Sequence, residues 1–246
     1  MMNTAFGELG LDWRYVRLPV PPERFAATVR ALPGSGYRGA NVTIPHKLAA
    51  HELADDLSEA ARAIGAANTL VFEDGRMVAD NTDAGGLLDA LGEPVPATAL
   101  VLGAGGMGRA AVWALREAGA QVAVWNRTAE RAEALAAELG AQHVARPEPA
   151  ELVVNATSVG LGDAEGAQDR GEAAAETLGL AGLPVPRVLV DLVYGAGPTP
   201  LSRWAAARGA RTVDGLEVLV RQGARSYERW TGRPAPLEVM RAAAAG

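Results

Sequence analysis

The run Ala99-Leu100-Val101-Leu102 is apolar at every position and leads directly into Gly103-Ala104-Gly105-Gly106-Met107-Gly108. A strand with no polar face must be covered on both sides, which happens in parallel sheets flanked by helices. The spacing G-x-G-x-x-G lets the backbone turn tightly and approach a pyrophosphate, whose charge then rests at a helix N-terminus. Alone that spacing is weak, because glycine-rich turns are common. Between an apolar strand and a helix it points to a dinucleotide site.

The rest of the chain repeats the strand–helix rhythm. Periodicity predicts strands over Trp13 to Leu18 and Arg38 to Thr43, and helices over Glu23 to Leu32 and Lys47 to Ile64. A hairpin is expected from Asn68 to Asp74 and Arg76 to Asp80, turning at Asp74-Gly75, then a helix from Ala84 to Leu91. Beyond the glycine motif the pattern predicts a helix over Arg109 to Ala118, a strand over Gln121 to Trp125 and a helix over Ala129 to Leu139. Leu152 to Val154 and Val188 to Val190 read as buried strands, 162–187 as a loose loop with room for a short helix, and Leu216 to Ala245 as helical with a break at Gly232 to Pro236. This succession predicts an α/β protein with a Rossmann-like parallel sheet. No repeat of fixed period is visible.

Composition excludes several function classes. The net charge of −6 and the lack of a basic stripe argue against nucleic acid. No apolar run approaches the ~18 residues of a membrane span, and no charged-then-apolar leader is expected at the start. Without cysteine there are no disulfides or thiolate metal sites, which suits a cytoplasmic protein. His46, His51 and His143 form no ligand grouping, so no metal is expected.

The strand after the glycine motif speaks to the choice of nucleotide. In NAD-binding units it usually ends in an acid that holds the ribose 2′-hydroxyl. Here it ends in Trp125-Asn126-Arg127-Thr128, with Arg131 one turn later. A carboxylate would repel a 2′-phosphate, whereas arginine offers a fork of donors to it. A bare helix start capped by Thr128 accounts for the threonine and leaves the missing acid unexplained. The expected cofactor is NADP(H).

Of 23 basic residues, every one but Lys47 is arginine. A guanidinium stays protonated at any working pH, while an ammonium can give up its proton when partly desolvated. A chance surface lysine is the simpler explanation until its neighbours are considered. Lys47 closes Asn41-Val42-Thr43-Ile44-Pro45-His46-Lys47, an alternating stretch broken by proline. Gly65-Ala66-Ala67-Asn68-Thr69-Leu70 and Asn81-Thr82-Asp83-Ala84-Gly85-Gly86 place amides and a carboxylate at element ends, where helix capping by Asn81 is an equally good reading.

Together with the glycine motif, these stretches resemble the shikimate dehydrogenase family, NADP-dependent reductases of aromatic amino-acid biosynthesis. The resemblance runs from Asn3 to about Ala244. It includes Asn155-Ala156-Thr157-Ser158-Val159-Gly160, Asp191-Leu192-Val193-Tyr194, Thr199-Pro200-Leu201, Gly215 through Gly223, and Trp230-Thr231-Gly232 with Pro236. It implies a discontinuous substrate domain, 1–83 plus 216–246, around an inserted NADP domain, 84–215, with substrate in the cleft between them. By match to the family motifs, Lys47 and Asp83 are the catalytic pair, and Thr43, Asn68, Tyr194 and Gln222 contact substrate. Gly103, Ala104, Gly105, Gly106, Met107, Asn126, Arg127, Thr128 and Arg131 would hold NADP(H). Leu192 and Gly215 would lie near the nicotinamide, and Glu59 matches a position on the cofactor side.

The implied activity is reversible NADPH-dependent reduction of 3-dehydroshikimate to shikimate by a monomer or homodimer. The family normally opens with a strand and a two-serine turn that binds the substrate carboxylate. Met1 corresponds to the middle of the helix that follows, so a start set downstream is expected, and Trp13 to Leu18 would lack its central neighbour. The alternatives are an NADP-binding relative without turnover, or a dehydrogenase for quinate or another small cyclic hydroxy acid.

Overall fold

The computed structural model describes residues 1–161, 169–195 and 197–246, and the chain falls into two units, Met1–Gly86 with Val220–Gly246, and Leu87–Leu219. In chain order the elements begin with α1 (Met2–Glu8), α2 (Phe25–Ala31), β1 (Gly39–Asn41), α3 (Lys47–Leu53), β2 (Asp56–Leu57) and α4 (Glu59–Ile64). There follow β3 (Thr69–Glu73), β4 (Arg76–Asp80), α5 (Thr82–Leu91), β5 (Thr98–Leu102), α6 (Gly106–Glu117), β6 (Gln121–Trp125) and α7 (Ala129–Leu139). The chain continues through β7 (Gln142–His143), β8 (Leu152–Asn155), α8 (Asp169–Thr177), β9 (Val188–Asp191), α9 (Pro200–Ala206) and β10 (Arg211–Asp214), and ends with α10 (Gly215–Thr231) and α11 (Leu237–Ala245).

The Leu87–Leu219 unit is built on a six-stranded sheet in the order β10-β9-β8-β5-β6-β7, with every pairing parallel. Alternation along the strands divides the core between two faces. Ala99, Val101, Val124, Val154 and Val190 join Leu115 of α6 and Leu135 of α7 on one face. Leu100, Leu102, Val153 and Leu189 join Ala175 of α8, Leu178 just after it, and Leu201 and Trp204 of α9 on the other. Full burial of one such leucine stabilises by about 1.5–3 kcal/mol, so a strand apolar on both sides gains twice. The strand order reverses between β5 and β8. The Gly103–Gly108 loop leaves β5 at that switch point, where open α/β sheets bind ligands.

The other unit carries a mixed four-stranded sheet, β1-β3-β4-β2. Phe25, Val29 and Leu32 from the α2 region, Ala50 of α3 and Ala61 of α4 pack with Leu70, Phe72, Met77 and Ala79 of the hairpin. Met2, Ala5 and Phe6 of α1 pack with Val220, Ala224 and Tyr227 of α10 and Met240 of α11. The hairpin turns at Asp74 and Gly75, both at positive φ (50° and 74°), as a two-residue turn between twisted strands demands.

Several expectations are corrected. Trp13 to Leu18 joins no sheet; the backbone N–H and C=O of Tyr15 are held instead by the Asn3 side-chain amide, at 2.6 and 2.9 Å. The single helix expected over Lys47 to Ile64 is two. Asp55 accepts from the Met77 N–H at 2.7 Å, Asp56 and Leu57 pair with Val78 and Ala79 of β4, and Ser58 caps α4. The helix of the glycine motif starts at Gly106, three residues before the expected Arg109, and strand β1 is shorter than Arg38 to Thr43. The described part of the expected loop over 162–187 contains α8, and 162–168 lie outside the described residues. Among the described residues no helix is long and apolar enough to cross a membrane, and no group of three or more His, Asp or Glu could hold a metal.

Candidate active site

Lys47 opens α3, and its backbone carbonyl accepts from the Ala67 N–H at 2.9 Å, which stitches the helix start to the entry of β3. The preceding turn is braced by His46, whose ring stacks on Phe25 at 4.5 Å and whose Nε2 lies 2.9 Å from the Val20 carbonyl oxygen. Asp83 stands in the first turn of α5, a helix whose start is held by Asn81, which donates to the Ala66 carbonyl and accepts from the Ala84 N–H at 3.4 Å. The capping reading of Asn81 is thus the one the structure supports.

These elements bring Lys47 Nζ to 2.6 Å from Asp83 Oδ2, with side chains 12% and 5% exposed. Asn68 Nδ2 donates to the other oxygen, Asp83 Oδ1, at 2.8 Å. Gln222 Oε1 accepts from Asn68 Nδ2 at 3.2 Å and from the Thr82 hydroxyl at 3.4 Å. Removing either the ammonium or the carboxylate of a pair held this far from water leaves the other buried without its charge partner. Thr43 is exposed on the turn before α3. Lys47, Asp83, Asn68, Gln222 and Thr43 all lie in the unit that contains α1 and α11. So does Glu59, exposed at the first position of α4; it does not share a unit with the other candidate cofactor residues.

The Leu87–Leu219 unit gathers the rest. Gly103, at φ 109°, donates its N–H to the Trp125 carbonyl at 2.8 Å, and Asn126 Oδ1 accepts from the Ala104 N–H at 3.2 Å. Asn126 therefore shapes the glycine loop. Gly105 gives the N-terminus of α6 no side-chain cap, and a Cβ placed on it would meet nothing within 4 Å. Gly106 and Met107 form the first turn of that helix. Arg127, Thr128 and Arg131 are exposed, and neither arginine has an ion-pair partner among the described residues. Open space over a glycine, an uncapped helix start and two unpaired arginines beyond β6 fit a pyrophosphate and a 2′-phosphate.

At the ends of β8 and β9, Asn155 and Asp191 are register partners. Asp191 accepts from Asn155 Nδ2 at 2.9 Å, from the Val193 N–H at 3.2 Å and from the Thr199 hydroxyl. Burial pushes its carboxyl up, and the three donors, Thr199 foremost, oppose this only in part. Leu192 and the half-exposed Tyr194 ride on the segment so fixed. Gly215 closes against it: a Cβ there would lie 2.6 Å from the Leu192 carbonyl oxygen.

The raised Asp191 carboxyl has a pH signature. The folded state prefers the proton, so this group's contribution is fully present below the ordinary carboxyl range and is lost as pH rises through the raised value. The stability of the parent relative to Asp191→Asn should therefore fall as pH rises from about 4. Denaturant unfolding of both proteins at a series of pH values measures it, and a pH-independent difference would contradict the assignment.

Sequence reasoning missed Tyr15, Thr69 and Ser226, whose hydroxyls lie in the polar cluster around Asn68. A lone hydroxyl in a strand or helix leaves no pattern; Thr69, beside Asn68, and Thr82, beside Asp83, stood in stretches already singled out but were given no role.

Comparison with known proteins shows the family. Family profiles match at residues 1–70 (shikimate dehydrogenase substrate binding domain), 89–157 (shikimate/quinate 5-dehydrogenase) and 215–245 (shikimate 5′-dehydrogenase C-terminal domain). Shikimate dehydrogenase (NADP(+)) of Anaeromyxobacter sp. strain Fw109-5 is 42% identical, the alignment covering 100% of this chain and 90% of that one. Shikimate 5-dehydrogenase from Thermus thermophilus, solved in complex with NADP(H) and shikimate, superposes with a TM-score of 0.85 at 39% identity over 99% of this chain and 91% of that one. The ligand-free 5-ketofructose reductase of Gluconobacter sp. strain CHM43 gives 0.84 at 31% identity, over 98% and 90%. With its two α/β units, its glycine loop at the switch point and this identity over its whole length, the chain belongs to the shikimate dehydrogenase family.

Proposed function

We propose that this chain catalyses the reversible reduction of 3-dehydroshikimate to shikimate with NADPH, and that Lys47 and Asp83 carry the proton chemistry. The observation behind this is the pair itself: the one lysine of the chain, 2.6 Å from a carboxylate whose other oxygen is held by Asn68. When bound, NADPH supplies the hydride that the carbonyl carbon receives. The carbonyl oxygen then needs a proton, and Lys47 Nζ donates it while its charge stabilises the developing alkoxide. Asp83 orients the ammonium and accepts a ring hydroxyl, and Lys47 recovers its proton from water. In the reverse direction neutral Lys47 takes the hydroxyl proton.

On this reading Thr43, Asn68, Gln222 and Tyr194 contact substrate, and the Gly103–Met107 turn, Asn126, Arg127, Thr128, Arg131, Leu192 and Gly215 contact the cofactor, with Glu59 on the cofactor side. Arg127 and Arg131, without an ion-pair partner among the described residues and with no acid at the end of β6, support the 2′-phosphate over a bare ribose. The proposal takes 1–83 with 216–246 as the substrate domain and 84–215 as the NADP domain, in a cytoplasmic enzyme that is a monomer or homodimer.

The test is nicotinamide oxidation by the purified chain, with NADPH or NADH and each of 3-dehydroshikimate, 3-dehydroquinate and 5-ketofructose. The expected result is turnover fastest with NADPH and 3-dehydroshikimate, with one shikimate formed per NADPH consumed. A faster rate on another ketone, or no turnover although NADPH binds, would overturn it.

A further inference from the structure

Two backbone groups fix the orientation of two side-chain amides near Asp83. The Thr82 N–H donates to Asn68 Oδ1 at 2.8 Å, so that end of the amide is the acceptor and Asn68 Nδ2 is the end facing Asp83. Asn41 Nδ2 faces the Asn68 backbone carbonyl at 3.3 Å, which leaves Asn41 Oδ1 to accept from the Tyr15 O–H at 3.0 Å. The Thr69 hydroxyl joins the two amides. It accepts from Asn41 Nδ2 at 3.1 Å and donates to Asn68 Oδ1 at 3.0 Å. Every link from Tyr15 through Asn41, Thr69 and Asn68 to Asp83 therefore donates in the same direction. Ser226 Oγ lies 2.9 Å from both Asn41 Nδ2 and Thr69 Oγ1 and ties the middle of the chain to α10. Thr69, Asn68 and Ser226 are buried, so water does not replace a broken link. Burial also pushes the Tyr15 phenol up, which keeps it a donor at working pH.

From this we infer that Tyr15 is a positioning residue for the Lys47–Asp83 pair, acting through Asn41, Thr69 and Asn68. The inference rests on the function proposed above. Aligned donors polarise one another, so the far end of such a chain affects the near end. Without the Tyr15 hydroxyl, Asn41 Oδ1 loses its donor while the Asn68 carbonyl still holds Asn41 Nδ2 in place. The Asn41 amide then polarises the Thr69 hydroxyl less, and the Thr69 bond to Asn68 weakens. Asn68 would hold Asp83 less firmly, and a catalytic pair displaced by a fraction of an ångström turns over more slowly. The Tyr15 ring packs against Trp230, centroids 6.2 Å apart, and its backbone is held by Asn3, so Tyr15→Phe removes the hydroxyl and keeps the packing.

The experiment compares Tyr15→Phe, Thr69→Val and the double variant with the parent, measuring kcat and KM for 3-dehydroshikimate and NADPH, and melting temperature. Each single change is expected to lower kcat about three- to tenfold, with the NADPH KM within about twofold of the parent. The double variant is expected to be no slower than the slower single, because both break one chain; an additional Thr69→Ser variant, which keeps the hydroxyl, should restore most of the rate. A Tyr15→Phe kcat equal to the parent's overturns the inference, and so does a double variant slowed by the product of the two effects. If Thr69→Val does not fold, the kcat of Tyr15→Phe decides alone. A parent without turnover overturns the proposed function and this inference with it, whereas an active parent with an unaffected Tyr15→Phe overturns only the positioning role.

Discussion

Replacing Lys47 with methionine should lower kcat about a hundred- to ten-thousand-fold while NADPH affinity stays within about twofold. The two readouts separate because Lys47 lies in the unit of β1 to β4, whereas the glycine loop, Arg127 and Arg131 lie in the other. Methionine fills a similar volume but cannot donate a proton or stabilise an alkoxide. Lys47→Arg sharpens the point. A guanidinium keeps the positive charge beside Asp83, yet it is a poor proton donor at any working pH. If proton donation dominates, Arg should be nearly as slow as Met; if charge alone matters, Arg should retain most of the rate. Stopped-flow rates and NADPH fluorescence titration measure the two quantities, and undiminished turnover in Lys47→Met would remove the residue from the mechanism. The partner also matters for folding. Asp83 left without its ammonium is a buried, uncompensated charge, so melting temperatures of the variants belong beside the rates.

Gly105→Ala and Gly108→Ala should both weaken NADPH binding, for different reasons that stability measurements separate. A Cβ at Gly108 would lie 2.1 Å from the Gly103 carbonyl oxygen, where real contacts essentially never fall under 3.0 Å, so loop or helix must shift. Overpacking of that kind costs about 1–3 kcal/mol, and the unit should lose stability together with cofactor affinity. At Gly105 nothing of the protein lies within 4 Å of the added carbon, and the backbone there (φ −86°, ψ −172°) suits alanine. The fold should tolerate the change. The pyrophosphate approaching that backbone would meet the methyl group, and the dissociation constant for NADPH should rise about tenfold or more, equivalent to about 1.4 kcal/mol. Denaturant unfolding without cofactor and NADPH titration check both variants. Unaltered binding in Gly105→Ala would mean the open space is not where the phosphates lie.

The parts of this fold legible in the sequence are those decided by local pattern. An unbroken apolar run ahead of glycines reads as a doubly covered strand, and Asp74-Gly75 between two strand-like runs reads as a tight hairpin turn. Trp13 to Leu18 shows the limit. Its residues are rich in aromatic and branched side chains, but a strand exists only where a partner offers a ladder, and here the Asn3 side chain supplies the bonds at Tyr15. The break inside Lys47 to Ile64 likewise depends on tertiary bonds, from Asp55 to Met77 and from Ser58 to Asp80, which no helical period records. Lys47 and Asp83 stand 36 residues apart, and nothing in their spacing says that they meet at 2.6 Å. The oddity of a single lysine marked one partner, and the family resemblance supplied the other. Tyr15, Thr69 and Ser226 received no role because their importance lies in which neighbour each hydroxyl faces.

The most direct test of the central claim is transfer of label from NADPH deuterated at the reactive nicotinamide carbon to 3-dehydroshikimate, read by mass spectrometry for the parent and for Lys47→Met. One deuterium is expected in each shikimate, on the carbon that bears the new hydroxyl, formed rapidly by the parent and very slowly by the variant. Shikimate without deuterium, or label transfer at the same rate in Lys47→Met, would contradict it.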